Sequence, residues 1–330
     1  MNILVVGGAG FIGSHTCYAL EEKGYTPIIY DNFSSGYKDL ISPFQYVEGD
    51  IHDVEHLESV LRDYDIKGVL HFAAYISVKE SVENPLSYYT NNLCGSINLF
   101  SAIQRAGVRY VVLSSSASVY GNPISYKPIS EDASMNPMSP YAQSKYMMER
   151  IAEDCSQAYN LYVASLRYFN AAGADAQGRT GQRRKEHIHI LACLFASLVG
   201  DIPYFSLYGS DYATPDGTCI RDYIHVTDLA YAHVNALEYL MREKKNITCN
   251  LGTNKGTSNR EMIRIVEEVT GKKVTLKEVA RRQGDPDYVV ADATRAFELL
   301  SWKPSHSSLE NIVHTGWEWF IKDRKGSSHG

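Results

Sequence analysis

Residues 2–31, NILVVGGAGFIGSHTCYALEEKGYTPIIYD, decide the fold class. The largely apolar run NILVV leads into the glycine turn GGAGFIG, then the amphipathic stretch SHTCYALEEKGY, then a second apolar run, TPIIYD. Strand, tight turn, helix and strand make one β-α-β unit. Gly7, Gly10 and Gly13 stand three apart, as GxxGxxG. Glycines there let the backbone approach a pyrophosphate closely, and the N–H groups of the helix start point at the anion. Asp31 ends the second strand at the distance expected of a carboxylate that holds the adenosine ribose hydroxyls. A carboxylate at that place repels a 2′-phosphate, which favours NAD over NADP.

The alternation continues down the chain. FQYVEGD reads as a short strand ending at Asp50 and Ile51, a wall for an adenine, and VEHLESVLRDY as a helix. GVLHFAA is an apolar strand whose end carries Ala73 and Ala74, small enough to lie against a cofactor. A helix through NPLSYYTNNLCGSINLFSAIQRAG and a strand RYVVLSSS follow. Strands alternating with helices predict an α/β fold, a doubly wound, Rossmann-like parallel sheet that binds its ligands beyond the carboxyl ends of the strands. The expected division is an NAD-binding domain at 1–170 and a smaller α/β substrate domain at 171–330. Residues near 220–240, IRDYIHVTDLAYAHVNALEYL, have the option of packing back on the first domain.

Composition excludes several classes. A net charge of −6 without a long basic run argues against nucleic acid. The densest cationic spots, Arg183-Arg184-Lys185 and Arg281-Arg282, suit one anionic ligand each. Cys17, Cys94, Cys155, Cys193, Cys219 and Cys249 lack CxxC or Cys/His spacing, so they read as reduced thiols and no metal site is expected. A strand beginning at residue 2 leaves no room for a signal peptide, and no apolar run reaches the roughly 18 residues of a membrane helix. The expectation is a soluble cytoplasmic protein.

Catalytic chemistry centres on SPYAQSK, residues 139–145. Ser139 and Pro140 make a helix start, so Tyr141 and Lys145 share a face. An ammonium beside a phenol favours the phenolate and makes it a base near neutral pH. Spacing alone is not enough, since Tyr75 and Lys79 repeat it. Ser116, at the end of the strand in SSSASVYG, precedes Tyr141 by 25 residues, whereas Asp50 stands at that distance before Tyr75. With GxxGxxG, Asp31, the strand-end serine and YxxxK, the sequence resembles the extended short-chain dehydrogenase/reductase family. The resemblance implies that Tyr141 is the acid/base, that Lys145 lowers its pKa and binds the nicotinamide ribose, and that Ser116 orients the reacting hydroxyl. It also places Phe11, Ile12, Asn32, Phe72, Asn91 and Tyr168 against the cofactor.

A closer resemblance over nearly the whole chain is to the UDP-glucose 4-epimerases of that family. It is carried by HFAAYISVKESVENPLSYYTNN, LRYFNAAGAD, DGTCIRDYIHVTDLAYAH, NLGTNKGTS and RRQGDPDYVVADATRA. It implies interconversion of UDP-galactose and UDP-glucose through a 4-keto sugar, with NAD retained. Arg221 and Arg282 are then expected on the two phosphates, Asn170, at the end of a strand YVASLRYFN, and Asp285 on the nucleotide, Tyr208 on the uracil, and His187 and Ile188 at the uridine turn. For Arg221 the alternative is an ion pair with Asp222, and for Tyr208 a place in the core. Ala117 and Ser118 stand where the related 4,6-dehydratases carry an Asp-Glu pair. Losing water after oxidation needs such a proton donor, so the reading is redox without elimination. Two rivals remain: a dehydratase or decarboxylase of the same family, and a non-catalytic NAD sensor with no need of Ser116, Tyr141 and Lys145. The sequence departs from the family where GQRRKEHIHILACLF lacks a proline and where Ile76 replaces a lysine found in some members. Val289, where a bulky tyrosine narrows the family's pocket, leaves room for a 2-N-acetyl group. Helices near 92–106 and 141–158 resemble the family's dimer-forming pair, so a homodimer is expected.

Overall fold

A computed structural model describes residues 1–122, 126–183, 189–282 and 284–327. The first half runs β1 (Asn2–Val6), α1 (Phe11–Glu22), β2 (Thr26–Asp31), β3 (Gln45–Glu48), α2 (Val54–Asp63) and β4 (Gly68–His71). Next come α3 (Val78–Glu83), α4 (Pro85–Tyr88), α5 (Gly95–Ala106), β5 (Tyr110–Ser116), α6 (Pro140–Tyr159) and β6 (Tyr162–Tyr168). The second half contains β7 (Asn170–Ala172), α7 (Ile190–Val199), β8 (Phe205–Tyr208), β9 (Ile220–Arg221), β10 (Tyr223–His225), α8 (Val226–Glu243) and β11 (Ile247–Leu251). It closes with β12 (Thr257–Ser258), α9 (Asn259–Thr270), β13 (Leu276–Val279), β14 (Tyr288–Val289), α10 (Thr294–Leu299) and α11 (Leu309–Ser327).

Seven strands form one parallel sheet in the order β11-β6-β5-β4-β1-β2-β3. The order reverses between β1 and β4, which opens a crevice at their carboxyl ends. Side chains alternate along β1: Ile3 and Val5 join the core under α1 and α8, and Leu4 and Val6 the core under α2, α5 and α6. That alternation is why a fully apolar strand is required, since both faces are buried. A third core gathers α7, α9 and α11 around β8 and β10.

Four local departures from the sequence reading have physical causes. The helix expected from Ser14 begins at Phe11, because Gly13 has no Cβ to strike the Gly7 carbonyl, which would lie 2.4 Å away. The strand GVLHFAA stops at His71: the Phe72 and Ala73 N–H groups both donate to the Val6 carbonyl, at 2.8 and 3.1 Å, and the chain leaves the ladder over Gly7. The single helix expected over 84–107 is interrupted by a π-helical turn, Tyr89–Cys94. Finally, the strand expected to run through Asn170 ends at Tyr168. Asn170 donates its N–H to Asp222 O at 3.0 Å and starts β7, which pairs with β10 in a separate sheet. The chain then returns: α8 packs beside α1, and β11 adds the last strand next to β6.

Candidate active site

The turn after β1 is folded for close approach. Gly7 has φ +78°, and a Cβ there would lie 2.5 Å from Ala73 N. Around Gly10 the space is open, with only the Gly7 carbonyl near the place of a Cβ, at 3.3 Å. Gly10 caps α1 without a side chain, and the first turn, with Phe11, Ile12 and Gly13, carries no acid. The positive end of the helix dipole is thus left for an anion. Asp31, 9% exposed, accepts the Ala9 N–H at 2.9 Å and the Phe33 N–H at 2.8 Å, and burial holds its carboxyl above the usual range. Asn32 donates to Asp50 at 2.8 Å, joining the rims of β2 and β3, while Ile51 is buried against Gly95. Phe72 packs on His233, Ala73 stands over Gly7, and Ala74 is half-buried beside it. These residues fit a dinucleotide: an uncapped helix start for the diphosphate and an oriented carboxylate for a ribose.

At the neighbouring strand ends α6 meets β5. Ser139 accepts the Ala142 N–H at 3.2 Å with Pro140 in the first turn, the start read from the sequence. Lys145, 2% exposed, donates to the Ser114 carbonyl at 2.9 Å. Burial pulls its pKa down to about 8, with the Glu149 charge acting in the opposite direction. Ser116 closes β5 opposite Tyr168 in the β5–β6 register. Its hydroxyl accepts the Ser118 N–H at 3.2 Å. Burial raises the pKa of Tyr168, whose hydroxyl bonds that of Ser114; this bond acts in the opposite direction, and the nearby Tyr141 adds to the rise. Ser116, Tyr141 and Lys145 are therefore gathered at one edge. The other YxxxK is not: Tyr75 lies in a loop, 42% exposed, and Lys79 pairs with Glu83 in solvent.

Three supports behind this edge escaped the sequence reading. Glu149 accepts the Ser115 hydroxyl and two Arg167 nitrogens, Nε at 2.9 Å and Nη2 at 2.6 Å. Arg167 continues to the Tyr120 hydroxyl at 2.9 Å, which donates to Asn250 at 2.7 Å. Asn92, fully buried in the π turn, accepts the Tyr75 N–H and donates to Tyr75 O and Ser144 Oγ, and Asn91 donates to it at 3.0 Å. The available signals were an arginine inside the strand YVASLRY and two asparagines inside a helix pattern.

A cavity of about 560 Å³ opens within the second half, beyond the end of β6, lined among others by Asn170, Tyr208, Arg221, Arg282 and Asp285. Arg221 pairs with Asp285 at 2.5 Å. It does not pair with its neighbour Asp222, which is fully buried and takes the Thr253 N–H and hydroxyl at 2.9 and 2.7 Å. Tyr208 is not in the core: the Arg282 guanidinium lies 3.9 Å above its ring and covers one face. Val289 stands opposite Arg221 in the β9–β14 register and packs on the cluster of Ala117 and Tyr120 that continues from β5. It therefore sits between the cavity and the Tyr141 edge. Arg184, Lys185, His187 and Ile188 fall outside the described residues. Among the described residues no group of His, Cys, Asp or Glu is placed to hold a metal, and no helix is long and apolar enough to cross a membrane.

Comparison with known proteins agrees with this geometry. Residues 4–315 match the family model described as GDP-mannose 4,6 dehydratase. The chain is 46% identical over 319 residues to a UDP-glucose 4-epimerase of Azospirillum brasilense, covering 96% of this chain and 91% of that protein. It is similar to the crystal structure of UDP-glucose 4-epimerase from Brucella ovis in complex with NAD, at TM-score 0.94 and 44% identity, covering 97% and 98% of the two chains. The enzyme from Stenotrophomonas maltophila, with bound NAD and formylated UDP-arabinopyranose, superposes at TM-score 0.96 with 38% identity and 99% of both chains covered.

Proposed function

The chain belongs to the UDP-glucose 4-epimerases, within the extended short-chain dehydrogenase/reductase family, and we propose that it interconverts UDP-galactose and UDP-glucose with NAD held throughout. One observation carries this reading among the activities of the family: Ser116, Tyr141 and Lys145 share an edge at which Ala117 and Ser118 replace any carboxyl. The matching model is named for a dehydratase, yet positions 117 and 118 of this edge carry alanine and serine in place of the acid pair that expels water, so oxidation and reduction are what it supports.

Tyr141 takes the proton from the sugar 4-hydroxyl, which Ser116 orients. The buried Lys145 ammonium favours the phenolate and holds the nicotinamide ribose. NAD, when bound, would supply the hydride chemistry at C4, where Ser116, Tyr141 and Lys145 orient the reacting hydroxyl and move its proton. Gly7, Gly10 and Gly13, with Phe11 and Ile12, hold the diphosphate of the cofactor, and Asp31 and Asn32 its ribose. Asp50, Ile51, Phe72, Ala73, Ala74, Asn91 and Tyr168 wall the remainder. The 4-keto sugar turns over while its nucleotide stays fixed. Arg221 and Arg282 grip the two phosphates of the substrate, as planar donors suited to phosphate oxygens. Asn170 and Asp285 hold the nucleotide, and Tyr208 offers the uracil its face away from Arg282. The place of Val289 extends the substrates to UDP-GlcNAc and UDP-GalNAc.

Ile97 on α5, exposed, and Met147, Ile151 and Cys155 along α6, half-buried at four-residue spacing, support a homodimer across these helices. Six free cysteines suit a reducing cytoplasm. We divide the chain into a cofactor domain, 1–170 with the returning α8 and β11, and a nucleotide-sugar domain from the rest. The test is purified protein, with no cofactor added, incubated with UDP-galactose and with UDP-glucose. Drift to one common ratio from both sides is the expected result. Silence with every UDP-hexose, NAD added, returns the chain to the reading of a sensor.

A further inference from the structure

The loop after β2 covers the turn in which the cofactor diphosphate is placed. Tyr37 N donates to Ala9 O at 3.2 Å, and a Cβ on Gly36 would lie 2.6 Å from that of Ala9. Farther out, Leu40 is buried against Ala174 and Trp319. The tip is tied by Arg183 from the other half of the molecule: its Nη1 donates to both carboxylate oxygens of Asp39, at 2.8 and 2.9 Å, and its Nε to Asp323 of α11 at 2.7 Å. Its guanidinium also lies 4.8 Å above the Tyr37 ring. Arg183 and Asp323 are mostly buried, at 23% and 16% side-chain exposure, so their pair is less screened than an ordinary surface pair and fixes the guanidinium that reaches Asp39, which is 64% exposed.

Arg183 faces two spaces. It lines the groove with Asp39, Leu40 and Lys322, and it also lines the cavity of Arg221 and Arg282. Beside it, the Trp319 indole donates to Gln182 O at 3.0 Å, fixing the approach of the chain. We propose that Arg183 is a positioning residue that pins the cofactor loop and couples it to the nucleotide cavity, so that an occupied cavity slows release of NAD. This rests on the reading of the chain as an epimerase that keeps its NAD. Coupling is reciprocal by linkage, so bound NAD also tightens binding of the uridine nucleotide. An enzyme that must not lose its cofactor between half-reactions gains from having the substrate hold that loop closed.

The test follows NAD appearing in the filtrate of purified holoenzyme, with and without saturating UDP. In the wild type UDP slows release. Asp39→Asn, at an exposed position, releases NAD about two- to fivefold faster, and Arg183→Met, which also loses the pair with Asp323, about five- to thirtyfold faster, and in neither does UDP slow release. Arg183→Lys retains part of the effect, and the unfolding midpoint of Asp39→Asn stays at that of the wild type. Release from both variants at the wild-type rate overturns the proposal. So does faster release with the UDP effect intact. A wild type that carries no NAD and converts no UDP-hexose sinks the functional reading instead, whereas an active, NAD-bearing wild type with unchanged variants sinks Arg183 alone.

Discussion

Replacing Lys145 with methionine separates what the site needs from what the fold prefers. The side chain is 2% exposed, and burial takes its pKa from 10.5 to about 8. Each tenfold change in proton affinity is worth about 1.4 kcal/mol, so the buried ammonium costs the fold about 3 kcal/mol at neutral pH. The folded-state pKa lies below the unfolded one. Between them the unfolded chain binds more protons, so stability rises as pH goes from about 8 to 10.5 and the cost fades. Methionine fills nearly the same volume without charge but leaves the Ser114 carbonyl without its donor, a loss of about 1 kcal/mol. Lys145→Met is therefore expected to be more stable than the wild type by about 2 kcal/mol at pH 7 and by almost nothing at pH 10. Urea denaturation of both proteins, freed of NAD so that cofactor binding does not enter, reads this difference directly. Its turnover falls about a hundredfold or more as the phenolate loses its cation. A stability difference that does not change between pH 7 and 10 would refute the reasoning, because the lysine would then not be a depressed, buried cation.

Tyr141→Phe removes the base and is expected to lower kcat by about 10²–10⁴-fold while KM for the UDP-hexose stays within about twofold; a large rise in KM with kcat intact would make Tyr141 a binding group. Glu149→Gln leaves the Arg167 guanidinium buried without its carboxylate, and urea denaturation is expected to show a loss of about 3–5 kcal/mol. Val289→Tyr is expected to lower the rate on UDP-GlcNAc relative to UDP-glucose by about tenfold or more, and an unchanged ratio ends the case for N-acetylated substrates.

The cofactor half was legible because its evidence is local. A turn of glycines, an apolar strand and an acid at the next strand end lie within thirty residues, and the sheet forms them as read. SPYAQSK was legible for the same reason, since Ser139 and Pro140 fix the helix start that aligns Tyr141 with Lys145. What stayed hidden depends on distant partners. Arg167 looks like an anomaly in its strand until Glu149 and Tyr120 surround it. The π turn at Tyr89–Cys94 contains Asn92, whose bonds to Tyr75 and Ser144 span 17 and 52 residues. Arg221, read as a phosphate contact with an ion pair to its neighbour Asp222 as the alternative, pairs in the fold with Asp285, brought close where β14 lies along β9.

The late arrival of β11 beside β6 has a consequence for biosynthesis. Until residues 247–251 leave the ribosome, β6 presents a bare row of backbone donors and acceptors, and the apolar face of α1 lacks its cover from α8. Residues 169–251 must be made first, which at about 5–20 residues per second takes on the order of 4–17 s. An unprotected sheet edge of this kind recruits other strands. A pause in translation before codon 251 is therefore expected to favour aggregation more than one after it.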